Sequence, residues 1–360
     1  MAYSSIINPS ALMNTVLYTG NGAVGGDSTT ISSLDFAPNL VWIKNRTTSG
    51  DATSSHALTD TVRGVTKTLS SNLNTAEATY SNALTNFSSN GFTVSDKAIV
   101  NGNGDSLVAW NWKAGTSFTN DASATGIGSI DSTGSVNTDA GFSIISWSGT
   151  GSNGTIAHGL GSTPQVVLLK ELNGTNNWLM SHQPLSASLG DYTRFMTLNS
   201  ESAVSGAGNV VFQNSAFTSS VFNVGTSAGS NRNGGTYIGY CFAEKQGYSK
   251  VDLYTGNGNA DGTFTYTGFK PAFVMIKRSD ASDSWCVFDN KRLGYNVNNY
   301  TLFANQSAAE NTEASIDFLS NGFKLRGTQT RLNASNGTYI YMAFAENPFV
   351  ASNYNVATAR

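Results

Sequence analysis

Four carboxylates stand where acid–base chemistry would be sought first. Asp60 and Asp289 each precede an arginine by three residues, Arg63 and Arg292, while Asn72–Glu77 and Asn305–Glu310 repeat one five-residue spacing. A pair of carboxylates flanking a sugar could cleave a glycosidic bond, one acting as acid and the other as base or nucleophile. An arginine three residues away favours a different reading, a structural ion pair made twice. Aromatic residues offer a second chemistry, because exposed rings stack on pyranose faces. Of the six tryptophans, Trp42, Trp110 and Trp112 fall in alternating apolar runs and read as core. Trp178 and Trp285 follow polar residues, Thr175-Asn176-Asn177 and Ser282-Asp283-Ser284, each fourteen residues after a proline, Pro164 or Pro271. These two are the candidate ligand-binding residues, with matched core positions as the competing reading.

Other reactive groupings do not assemble. His56, His158 and His182 lack ligand spacing, and Cys241 and Cys286 form no Cys-x-x-Cys, so no metal site is expected. Both cysteines sit in apolar strand-like contexts and read as buried thiols. There is no Gly-x-Ser-x-Gly elbow. Gly20-Asn21-Gly22 and Gly256-Asn257-Gly258 resemble phosphate cradles, but no helix and no phosphate-loop lysine follow, so they read as turns. The expectation is a protein without enzymatic activity or cofactor.

The elements that position these residues repeat three times. Leu107–Ala114, Tyr237–Glu244 and Tyr339–Glu346 are related segments. Their alternate residues are large on one face (Val108, Trp110, Trp112; Ile238, Tyr240, Phe242; Ile340, Met342, Phe344) and mostly small on the other. That pattern describes a central strand covered on both sides. Each follows Asn-Gly, at Asn103, Asn233 and Asn336, which reads as a hairpin turn. A second strand opens at Pro38, Pro164 and Pro271 and closes at Lys44, Lys170 and Lys277. Leu17-Tyr18-Thr19-Gly20-Asn21-Gly22 recurs unchanged from Leu253 to Gly258. Register held through several anchors indicates internal duplication.

Helical periodicity is nearly absent. Short strands with Gly-rich turns predict an all-β protein of three tandem antiparallel β-sandwich repeats at 17–114, 141–247 and 248–347. Residues 1–16 read as an N-terminal docking arm and 348–360 as an extended tail. Residues 115–140, nearly all Gly, Ser, Thr, Asn, Asp and Ala, read as a linker that leaves the first repeat freer than the other two.

Composition narrows the partners. Charged residues make up 12% of the chain, against roughly 25% in an average globular protein. The net charge is −3 without a basic block, so nucleic acid is a poor partner. The N-terminus has no basic n-region or long apolar run, and no stretch approaches the ~18 apolar residues of a membrane span. A soluble protein made in a cytoplasm is expected, with no membrane partner. A surface of Ser, Thr, Asn and Gly can form subunit contacts without desolvating many ions, so a homo-oligomer is expected.

Met1-Ala2-Tyr3, Ile7-Asn8-Pro9-Ser10, Val41-Trp42-Ile43-Lys44-Asn45-Arg46, Val108-Ala109-Trp110-Asn111-Trp112-Lys113 and Tyr240-Cys241-Phe242-Ala243-Glu244-Lys245 together resemble a family of phage virion proteins. Such proteins are widespread in phages of aquatic bacteria, cyanophages among them. The resemblance spans nearly the whole chain. It implies concanavalin-like jelly-roll units, other virion proteins as partners, a trimer as the favoured oligomer, and a place on the virion after assembly in the host cytoplasm. It carries over no catalytic residue. Two functions stay open: a tail-fibre or appendage component touching host-surface glycan, or a capsid or tail decoration protein with no receptor role.

Overall fold

The computed structural model describes residues 4–23, 28–47, 53–206, 208–293 and 295–350. It is mostly β, with 44% strand and 9% helix. Each third of the chain builds one large antiparallel sheet with the same strand order: first, last, second, third. In lobe 1 the order is Met13–Thr19, Ser106–Trp112, Leu40–Asn45, Ala57–Asp60. Lobe 3 repeats it with Ser249–Thr255, Thr338–Pro348, Phe269–Arg278 and Cys286–Asp289, then adds Leu302–Phe303. Lobe 2 uses Phe142–Ser148, Thr236–Phe242, Val166–Glu171 and Leu179–His182, and its sheet continues on both sides. The closing strand of each repeat is thus central, as its two apolar faces require.

A smaller sheet covers the outward face of each large one. Its strands are Thr29–Ile31, Gly91–Val94 and Leu84–Ser88 in lobe 1, and Gly154–Ala157 with Val221–Val224 in lobe 2. In lobe 3 they are Asp261–Tyr266, Gly322–Arg326 and Ser315–Leu319. Each pair of layers encloses its own apolar cluster.

The inward faces do something else. Val108, Trp110 and Trp112, Ile238, Tyr240 and Phe242, and Ile340, Met342 and Phe344 all belong to one cluster shared by the three lobes. Trp112, Phe242 and Phe344 hold the same position in their strands, and each ring touches the other two, with centroids 5.8–6.3 Å apart. A pseudo-three-fold axis runs through this triangle, and the three sheets face it like the walls of a prism. Burying each phenylalanine contributes roughly 1.5–3 kcal/mol. Each edge-on ring pair adds roughly 0.5–1.5 kcal/mol.

The turns at the far end repeat as well. Asn101, Asn231 and Asn333 are buried, and each side-chain oxygen accepts from the backbone N–H of Asn21, Thr150 or Asn257 at 2.9–3.1 Å. The Asn-Gly sites do not close two-residue hairpins. Each follows a single helical turn, at Ala98–Asn101, Ala228–Asn231 or Thr330–Asn333, and starts the crossing from the small sheet to the large one. The left-handed residue is Gly104 (φ 78°) or Gly234 (φ 70°) in lobes 1 and 2, but Asn336 (φ 59°) in lobe 3.

Three sequence-based boundaries change. Residues 115–140 are not a linker: Thr116–Asn120 and Ser132–Asn137 pair with each other, and the second pairs with Phe142–Ser148 at the margin of lobe 2. Lobe 1 is not freer than the others, since Trp42, Trp110 and Trp112 are buried in the shared core. The arm is not free within its described part. Ser4 Oγ donates to the Gln246 carbonyl (3.0 Å) and Ser4 N–H to the Val350 carbonyl (3.3 Å). Pro9 is buried, Ile6 and Leu12 pack on the central core, and strand Met13–Thr19 has begun before residue 16. Residues 1–3 and 351–360, and so most of the predicted tail, lie outside the described residues.

Candidate functional site

The sequence-predicted site residues turn out to hold the lobes together. Trp178 and Trp285 are buried, at 0% and 1% exposure, so neither ring can meet a ligand from solvent. Their polar flanks had suggested loops. Asn177 and Ser284 do stand in loops, but the tryptophan after each immediately precedes an inner strand, Leu179–His182 or Cys286–Asp289, and its ring joins the central core. Trp178 Nε1 donates to the Ser70 carbonyl of lobe 1 (2.9 Å), and Trp285 Nε1 donates to the Thr197 carbonyl of lobe 2 (3.1 Å). His56 holds the same register position in lobe 1, and its Nε2 bonds the Phe303 carbonyl of lobe 3 at 2.9 Å. One bond of this kind therefore crosses each seam: lobe 2 to 1, lobe 3 to 2, lobe 1 to 3.

The carboxylates make a second set of bonds running the same way, at two of the three seams. Asp60 pairs with Arg63 (2.5 Å) and accepts the Tyr240 hydroxyl of lobe 2 (2.8 Å). Asp289 pairs with Arg292 (2.6 Å) and accepts Trp110 Nε1 of lobe 1 (3.0 Å). Glu77 and Glu310 complete the networks, 3.1 Å from Arg63 and Arg292, and Glu310 also grips Arg46 with both oxygens at 2.9 and 3.1 Å. Burial raises the Tyr240 phenol well above its usual range, so it stays a donor. A carboxylate that already serves a guanidinium and an N–H or O–H donor inside an aromatic core is placed to fasten, and the ion-pair reading of these residues fits this geometry.

Register puts His182 where Asp60 and Asp289 stand, opposite Val166 as they lie opposite Leu40 and Phe273. Met342 holds the position of Trp110 and Tyr240. At the seam between lobes 3 and 2 the acid and its donor have both been replaced. His182 instead caps the helix Gln183–Leu189, its Nδ1 accepting from Leu185 N–H at 3.2 Å.

The repeated lysines are buried too. Lys44, Lys170 and Lys277 are 0% exposed, and each ammonium donates to the carbonyl of the next residue at 2.5–2.7 Å. Burial pulls each down to about 8. Cys241 and Cys286 are free and buried, and burial pushes the Cys241 thiol up to about 12. Among the described residues no group of three His, Cys, Asp or Glu side chains could hold a metal ion, and no helix is long and apolar enough to cross a membrane.

One solvent-facing arrangement was missed. On the outward face of the small sheet lobe 1 carries exposed Thr30 and, just past its strand, exposed Ser32, while the same register positions in lobe 2 are half-buried Thr155 and buried Ala157. In lobe 3 those positions are Phe264 and Tyr266, 42% and 55% exposed. Aligning the three copies residue by residue beyond their anchors would have exposed this difference. Among curated proteins none matches the chain. A family model described as a domain of unknown function, DUF7483, matches residues 8–348, across all three lobes, and the chain belongs to that family.

Proposed function

We propose that the chain is a structural protein of a bacteriophage particle, a tail-fibre or appendage component displayed on the exterior and in contact with host-surface glycan. Each lobe, in this reading, is a β-sandwich of the jelly-roll, concanavalin-like kind. The observation that carries the proposal is the closed ring of seams. One chain makes a body with the form of a trimer, fastened at every seam by buried donors and by a common aromatic core. Such a body suits a load-bearing part better than one that must open around a substrate. The sequence resemblance to phage virion proteins supplies the setting, with other virion proteins as partners and assembly in the host cytoplasm.

Association of whole chains into a homotrimer belongs to the same proposal. It would use a surface outside the three seams, because those are filled within the chain. Sedimentation velocity distinguishes a 37.9 kDa monomer from a species of three times that mass. The functional test is immunogold labelling of particles together with an adsorption assay. Label at the tail and antibody that blocks adsorption are expected. Label over capsid faces with no block would replace this reading with that of a decoration protein.

A further inference from the structure

We propose that the outward face of the small sheet in lobe 3, with the cleft beside it, binds an uncharged glycan chain, and that Phe264 and Tyr266 are its stacking platform. The inference deepens the reading of glycan contact and gives it a site. The fold does not ask for these rings. Equivalent positions in the other two lobes carry Thr30, Ser32, Thr155 and Ala157 on the same backbone. Phe264 and Tyr266 lie two residues apart on a strand, so both rings leave the same face, with Cα atoms about 7 Å apart. The strand Asp261–Tyr266 is at the sheet edge, which lets a long polymer approach from the side.

The backbones pack closely beneath the rings. Gly322 lies opposite Tyr266, where an added Cβ would clash with the Thr265 carbonyl oxygen and come within 3.1 Å of Phe264 Cε2, so the Phe264 ring edge passes close over this glycine. Tyr266 also forms one wall of a cleft of about 500 Å3, with Thr267 beside it and Glu244, Gln246, Ser249 and Lys250 facing it. That volume lies within the range of about 300–1,000 Å3 typical of ligand pockets.

Charge complementarity selects the occupant. Among the described residues, the cations on the platform strands and in the cleft each lie beside an acid. Lys324 Nζ lies 2.8 Å from Asp261, Arg326 lies 2.5 Å from Asp317, and Lys250 lies 3.1 Å from Glu244. A nucleic-acid platform would add unpaired cations to its aromatic rings. Asp252 also lies 3.2 Å from Lys250, so these side chains offer donors and acceptors held in place with no excess of positive charge. Aromatic faces bordered by neutralised hydrogen-bonding groups match a polyhydroxylated, uncharged ligand. Weak single contacts of this kind become firm when many copies are displayed together.

Affinity gel electrophoresis of the full chain tests this, with dextran, xylan, galactomannan or β-glucan in the gel, and alginate and heparin as anionic comparisons. At least one neutral polysaccharide should retard the protein. Phe264→Ala and Tyr266→Ala should each weaken the retardation at least tenfold, while Thr30→Ala on the matching face of lobe 1 leaves it unchanged. Both rings are exposed, and circular dichroism with a melting curve verifies that the variants fold. No retardation by any neutral polysaccharide overturns the proposal. So does retardation by the anionic ones alone, or undiminished retardation of the double variant. A double variant that instead falls from an oligomer to a monomer in sedimentation would make this face a contact between chains, and the glycan site would fall. Failure here leaves the particle reading to be judged separately by immunogold.

Discussion

Mild acid should unfold this protein, because all three of its histidines are held neutral. In each ring Nδ1 is committed as an acceptor. His56 Nδ1 accepts from Trp42 Nε1 (2.8 Å) while its Nε2 faces the Phe303 carbonyl. His158 Nδ1 accepts from Leu160 N–H, with Nε2 on the Thr218 carbonyl, both at 3.2 Å. His182 Nδ1 accepts from Leu185 N–H. A second proton would go to Nδ1 and convert an acceptor into a donor that points at an N–H. Burial, reinforced by Lys44, pulls His56 down to about 3, and burial pulls His158 and His182 down to about 4, from the usual 6.5. The folded state therefore binds these protons less readily than the unfolded state does. Stability is complete above the unfolded value of about 6.5 and falls as pH drops through the window down to about 4. At pH 5 each histidine has given up about 2 kcal/mol, so the loss is about 6 kcal/mol, comparable with the 5–15 kcal/mol that stabilises a typical native protein. Urea titrations followed by tryptophan fluorescence at pH 8, 7, 6 and 5 read this directly. Between pH 8 and 7 the midpoint should fall slightly, by the equivalent of about 1 kcal/mol as the three buried lysines regain their protons, and below pH 7 it should drop steeply. His158→Gln should remove about a third of the dependence. A free energy of unfolding that stays level from pH 7 to 5 would refute the reasoning.

Three further outcomes follow from the seams and the core. Trp285→Phe should lower stability by about 1–3 kcal/mol for the orphaned Thr197 carbonyl, with more for the smaller ring. Trp178→Phe should act in the same direction, and neither variant should change retardation by polysaccharide. Deleting residues 1–12 removes Ile6, Pro9 and Leu12 from the end of the core and should cost about 3 kcal/mol or more by thermal melt. Loss of the truncated protein from particles would then reflect instability unless its melting temperature were unchanged. Cys241 and Cys286 should be silent to a thiol reagent in the native protein and titrate as two thiols in denaturant.

The threefold duplication was legible because its marks are local. Proline opening a strand, lysine closing it and an Asn-Gly turn before the last strand each follow from backbone needs within a few residues. The alternation in Ser106–Trp112 also announced a strand covered on both faces. It could not announce that one face looks at two other lobes, because that depends on residues a hundred positions away. Trp178 misled because its three preceding neighbours are polar, and the direction of a ring at the mouth of a strand is set by register, which composition does not carry. Thr116–Asn120 and Ser132–Asn137 misled for a related reason. Thr116–Asn120 at the sheet edge buries little, and Ser132–Asn137 beside it buries only the small residues Ser132, Gly134 and Ser135, so Ser, Thr and Gly suffice there and their composition resembles a linker.

Joining three lobes in one polypeptide separates their mutational histories. In a trimer of identical chains a changed residue enters three times at once, so both sides of every seam change together and any new surface appears in triplicate. Here an acid could give way to His182 at one seam, with Met342 in place of its donor, while Asp60 and Asp289 kept theirs. For the same reason two exposed rings could arise on one wall of the prism while the other two stayed plain. The duplication supplies a symmetric frame, and covalent linkage lets a single wall specialise.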